Sequence, residues 1–108
     1  METSPLIDER HLSFIRSKPC IVDDENCLGD VVVHHINGRG MGGGKRNDHL
    51  TTPLCSIGHH VGGKFSIHQI GKEAFEERHF VDLYEISNIF LSEDFQQREE
   101  KLDLEQQF

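Results

Sequence analysis

The sequence has no Trp and a single Tyr, and apolar residues fill only 35% of its 108 positions. Globular chains run at roughly 45–50% on a count that includes Gly, and the ten Gly here raise that count while packing little volume. Such a length permits one small domain, and a core this lean needs a staple. No apolar run approaches the roughly 20 residues of a membrane span, so no spanning helix is expected. The N-terminal METSPLIDERH is acidic and polar, which argues against a signal peptide and for a cytoplasmic chain with reduced thiols. Cysteine is scarce and odd in number, at three, which excludes a closed disulfide framework.

Histidine is abundant instead. There are eight, and six of them fall with all three Cys inside residues 20–68. Cys together with His in a small cytoplasmic domain points to metal. The net charge of −8 is unevenly spread: residues 1–27 carry −3, residues 28–72 carry +3 and residues 73–108 carry −8. That total argues against simple electrostatic binding to nucleic acid, but the middle of the chain is locally basic.

Residues 8–17 read as a short helix with Leu12, Ile15 and Phe14 on one side, ended at Lys18-Pro19. Cys20-Ile21-Val22 is an apolar arm, and residues 23–26 form a polar turn closed by Cys27. Val31-Val32-Val33 is β-branched and reads as a strand running into His34-His35. Residues 37–48 hold five Gly within 38–44 and read as a loop. Residues 51–54 read as a second strand ending at Cys55, with a helix starting near Ser56 and interrupted at Gly62-Gly63. Residues 71–80 and 82–95 show helical spacing through Phe75, Leu83, Ile86 and Phe90. Residues 96–108 are acidic and Gln-rich, read either as a helix or as a disordered tail.

Two constellations carry chemistry. Cys20 and Cys27 flank the polar turn, and Cys55 follows the second strand with His59 four positions later. Three thiolates and one imidazole make a tetrahedral zinc set, which would clip the N-terminal arm to the later helix. The pair His34-His35 ends a strand, where successive side chains face opposite ways. One ring of the pair can therefore hold a metal while the other activates water, with His59, His60 and His68 supplying further imidazoles. The Gly-rich loop fits the dinucleotide fingerprint at Gly38, Gly40 and Gly43, but no apolar helix follows it and no acid stands about 20 residues on. It is better read as a crossover on which Arg39, Lys45 and Arg46 approach a phosphodiester backbone.

Three segments in this order, HLSFIRSKPCIV (11–22), HHINGRGMGGGKRNDHLTTPLC (34–55) and GHHVGG…IHQIGKEAFEERHFVDL (58–83), carry a resemblance. The chain resembles the HNH (ββα-metal, treble-clef) nuclease superfamily, and within it the phage and prophage recombination endonucleases, the Ref-like and NinG-like proteins. The resemblance covers about 70 of the 108 residues. It implies an α+β fold: a small ββα-metal domain with a two-strand hairpin, a flanking N-terminal helix and C-terminal helices. It implies that His34, His60 and His68 hold a catalytic divalent metal (Mn, Mg, Ni or Zn) and that His35 is the general base. Asp48, or Asn47, would stand for the middle polar residue of the motif, and structural zinc would sit on Cys20, Cys27, Cys55 and His59. The sequence departs from the family pattern in three places. Asp23 stands where a second knuckle Cys is usual, three residues rather than two separate Cys55 from the His pair, and Val61 to Ile67 precede the last His.

The expected function is metal-dependent hydrolysis of DNA, in phage recombination or processing in the cytoplasm of an infected or prophage-bearing cell. The expected domain spans residues 1–95 with its core at 18–72, and residues 96–108 form the tail. DNA is the expected partner, with a protein partner or a second copy at the C-terminal helices and no membrane. The competing reading is a non-catalytic, zinc-stabilised module that binds DNA or protein.

Overall fold

The computed structural model describes residues 5–36 and 46–106. The first helix, α1 (Glu9–Arg16), begins where Asp8 accepts a hydrogen bond from the His11 N–H at 3.1 Å, a side-chain N-cap that satisfies one of the donors a helix start leaves open. It ends at Ser17, one residue before the Lys18-Pro19 stop. Its buried face is His11, Leu12 and Ile15, while Phe14 is only half-buried. His11 takes the deep position because Asp94 meets its Nδ1 at 2.7 Å. Hydrophobic spacing alone does not register such a polar pair.

Strands β1 (Val31–His35) and β2 (Thr51–Cys55) pair antiparallel, with Val31 opposite Cys55 and His35 opposite Thr51. All five residues of β2 are buried, so it is the central element, covered by α1 and by the last helix. Pro53 gives no N–H to this ladder, but its carbonyl accepts from the Ile21 N–H at 3.1 Å. That bond lays the Cys20 arm along β2. On the other side of the chain crossing, Leu6 bridges Asn47 in parallel, through Leu6 N–H to the Arg46 carbonyl at 2.9 Å and Asp48 N–H to the Leu6 carbonyl at 3.0 Å.

After β2 the chain makes one π-helical turn, Ser56–His60, closed by the Val61 N–H on the Ser56 carbonyl at 3.1 Å. Such an i to i+5 turn is wider than an α-turn and is common at functional sites. It is held by the 26–30 loop: Ser56, Ile57 and Gly58 donate to the carbonyls of Asp30, Leu28 and Leu28 at 2.8, 3.0 and 3.1 Å. Gly58 is required here, since a Cβ would collide with the Asn26 carbonyl. Three helices follow: α2 (Ile67–Ile70), α3 (Lys72–His79) and α4 (Leu83–Gln106). Helix α4 runs unbroken through residue 95, so the segment from 96 to 106 is helix and no break in secondary structure falls at the expected domain edge.

The apolar core joins Val22, Ile36, Leu54, Ile67, Phe75 and Leu83 with the two buried thiols Cys20 and Cys55. Buried with it are His34, His35, Asp48, Thr51, Thr52 and His59. A core this polar resembles a site more than an oil drop, and its few apolar side chains each carry weight. Leu54→Ala, at a fully buried position, is expected to cost about 2–5 kcal/mol in urea unfolding.

Candidate metal centres

Cys20, Cys27, Cys55 and His59 converge, with their ligand atoms all within 4.8 Å of one another. His59 Nδ1 lies 3.5 Å from the Cys20 sulfur, 3.6 Å from Cys27 and 3.0 Å from Cys55. Tetrahedral zinc, with Zn–S near 2.3 Å and Zn–N near 2.0–2.1 Å, sets sulfur and nitrogen about 3.6 Å apart. The donor set and its spacing therefore suit zinc. Burial pushes the Cys20 thiol up to about 12, and the neighbouring Cys55 and Cys27 thiols add to the rise against backbone N–H groups of Cys55 and Val22 that lower it. The Cys20 thiol, raised this far, needs a cation before it releases its proton. Asp24 Oδ1 stands 3.0 Å from His59 Nε2 without hydrogen-bond alignment, the place where a carboxylate steadies a ligating imidazole. The Cys absent at position 23 is thus supplied by Cys27, which the turn folds back to the cluster.

The second cluster is His34, His60 and His68, again with ligand atoms within 4.8 Å of one another. The rings are edge-on, with centroids 5.3 Å apart for His34 and His60 and 4.5 Å for His60 and His68. His34 Nε2 is buried with no hydrogen-bond partner. Burial pushes the His34 imidazolium down to about 3, helped by repulsion from His60, His68 and His35. Burial and His68 lower His60 likewise. At neutral pH each of these two rings is uncharged, with one N–H and one nitrogen lone pair, the form a metal takes. The π-turn sends the adjacent His59 and His60 to different clusters, and its extra residue absorbs the longer Cys55-to-His spacing.

His35, on the opposite face of β1 from His34, has Nε2 2.9 Å from Asp48 Oδ1. Asp48 is fully buried. Burial pushes its carboxyl up, but Arg46, the Asp8 N–H and His35 outweigh that and hold it well below the usual carboxylate range. Arg46 grips it with two bonds, Nε to Oδ1 at 2.8 Å and an Nη to Oδ2 at 3.0 Å, and Asp8 N–H donates to Oδ2 at 2.8 Å. The neighbouring Asn47 uses its side chain to accept from the His49 N–H instead. Arg46, expected to meet a phosphodiester backbone, thus faces inward to Asp48 and outward to Glu9 at 3.1 Å. Arg39 and Lys45, its companions in that expectation, lie outside the described residues.

Residue patterns did not single out Asp8, Asp24 or Arg98. Asp8 accepts from His49 Nε2 at 2.9 Å and from Arg98 at 3.3 Å, and Arg98 also donates to Asp94 at 2.8 Å. A chain of charge thus runs from α4 to the backbone N–H on Asp48. No short-range motif announces it, because its members are separated by up to 90 positions. No family model matches the chain, and no curated protein or solved structure matches it.

Two outcomes follow from these centres. Elemental analysis is expected to find one tightly held zinc per chain, and Cys20→Ser or Cys55→Ser is expected to lose both the metal and the cooperative unfolding transition. The Asp8 carboxyl is lowered to about 2 from 3.8, since bonds from His49, the His11 N–H and Arg98 exceed the opposing effect of burial. Its folded value is depressed, so its stabilisation is present above 3.8 and lost as the pH falls toward 2. The gap in unfolding midpoint between the unmodified chain and Asp8→Asn is expected to close over that window.

Proposed function

We propose that the chain is a metal-dependent DNA endonuclease of the HNH type, hydrolysing phosphodiester bonds. The observation that carries this reading is the joining, on one strand end, of a ligand imidazole and a carboxylate-bound imidazole. His34 meets His60 and His68, while the next residue, His35, is bonded to Asp48. The order of β1, β2, π-turn and α2 supports a ββα-metal assignment, and the Cys cluster supports a treble-clef-like zinc staple beneath it.

His34, His60 and His68 would hold the catalytic divalent ion, which when bound supplies charge neutralisation at the phosphate and at the leaving oxygen. All-imidazole ligation suits Zn, Ni, Co or Mn better than Mg. His35 is the base. With Asp48 accepting the proton on Nε2, the neutral ring keeps its lone pair on Nδ1. That nitrogen takes a proton from water as the water oxygen bonds to phosphorus, and the P–O3′ bond breaks. The products are a 5′-phosphate and a 3′-oxygen that leaves as the hydroxyl after protonation from solvent. Asp48, ionised by its Arg46 and Asp8 contacts, steadies the imidazolium so formed.

Incubation with supercoiled plasmid tests the reading. Nicking is expected with Mn²⁺ and is expected to stop in EDTA. His35→Ala should keep its zinc and fold but cut at least about 100-fold more slowly, the lower end of what a general base contributes. A zinc-loaded, folded chain that nicks with no metal tried would instead support a non-catalytic zinc module.

A further inference from the structure

Four of the nine cations among the described residues are spoken for. Lys18, Arg46, Lys72 and Arg98 each pair with a carboxylate. Lys64 and Arg78 have no carboxylate within pairing distance among the described residues, and both approach the same ring. The Arg78 guanidinium carbon stands 3.3 Å from the Phe65 ring centroid and the Lys64 ammonium 5.4 Å from it. Arginine stacked on a ring holds its planar fork in one orientation, with the edge N–H donors left for a planar or tetrahedral oxyanion. Other unpaired cations are placed differently. Arg16 reaches the Ser13 hydroxyl at 3.4 Å, and Arg10 and Lys101 line clefts between α1 and α4 whose walls include Asp94 and Glu105.

The position of this pair matters as much as its charge. Lys64 and Phe65 lie in the segment that joins His60 to His68, so the ammonium is four residues from each imidazole of the second cluster. A cavity of about 430 Å³ opens at the same place. Lys64, Phe65, His79, Asn26 and Ile57 line it together with His59 of the first cluster. In a chain of net charge −8, two cations without a carboxylate partner, gathered on one ring, are a selective place for an anion.

We propose that Lys64 and Arg78 bind backbone phosphates of the DNA strand next to the bond cut at His34, His60 and His68. The inference rests on the nuclease reading above. It assigns the grip on DNA to the loop and helix that follow the His pair, in place of Arg46, whose donors are held by Asp48 and Glu9. Such contacts position a duplex without reading its bases.

The test uses the full zinc-loaded chain with Mn²⁺, in a His35→Ala background so that the duplex stays intact. Binding to a labelled duplex is followed by fluorescence anisotropy across a salt series. Each phosphate contact removed is expected to lower the slope of log affinity against log salt by roughly 0.9. Lys64→Ala and Arg78→Ala should each do so, and the double variant should lose about twice that. Lys72→Ala, which removes a charge already paired to Glu76, should leave the slope unchanged. If Arg78→Ala loses zinc through its broken stacking, Lys64→Ala and Lys64→Glu decide the matter alone. An unchanged slope in the Lys64 variants overturns the proposal, and so does an equal fall in Lys72→Ala. Plasmid nicking by the chain with His35 intact separates the two claims. Nicking with an unchanged slope overturns the phosphate grip and spares the nuclease reading. A lowered slope without nicking does the reverse, and a chain that neither binds nor nicks overturns both.

Discussion

The ring of His59 stands where four stretches of chain meet. The Cys20 arm comes to it from α1, the Cys27 turn comes from before β1, Cys55 comes from the end of β2, and the π-turn carries the ring itself. Apolar contact could not hold the turn that carries Cys27, since the 23–30 loop is exposed throughout. Coordination by three thiolates and one imidazole is strong, directional and indifferent to hydrophobicity, which suits a chain with few large side chains to bury. Two members of the second cluster are placed through this junction. His60 follows His59 directly, and His34 lies on the strand paired with the one that ends in Cys55.

A second constraint organises the opposite side of the hairpin. Asp48 is buried and charged, a costly arrangement unless its oxygens are fully engaged. Arg46, His35 and the Asp8 N–H provide that engagement. Asp8 in turn is held by His49 and by Arg98 of α4. The acidic C-terminal helix is therefore tied to the His35 dyad by ion pairs rather than by a continuous apolar face. This explains how a helix with Ile89, Leu102 and Leu104 exposed still has a fixed place on the body through Leu83, Ser87 and Asp94.

Much of the hairpin and both clusters were legible in the sequence, because each rests on local patterns. A β-branched run into His-His, a Thr-Thr-Pro-Leu-Cys strand and Cys and His residues at ligand-like spacings all speak within a few positions. What escaped depends on burial or on partners far away in sequence. Arg46 reads as a loop cation until Asp48 is seen to be buried beside it, and His11 reads as a polar residue on an amphipathic helix until Asp94 arrives from the last helix. The π-turn escaped for a different reason. Three residues between Cys55 and His59 look like a departure from pattern, yet the wider turn takes up the extra residue and still delivers consecutive rings to separate clusters.

That adjacency couples the phases of the two centres. Because His59 and His60 share one turn, no insertion, deletion or twist within Ser56–His60 can move one ring and leave the other. Gly58 sits between the strand end and the pair, pressed against the Asn26 carbonyl, so the turn has little room to slip. The four-residue set and the three-imidazole set are geometrically a single gear with teeth on two sides. Mutational drift in this short stretch has to satisfy both at once, and a lone methyl group at its middle would disturb both.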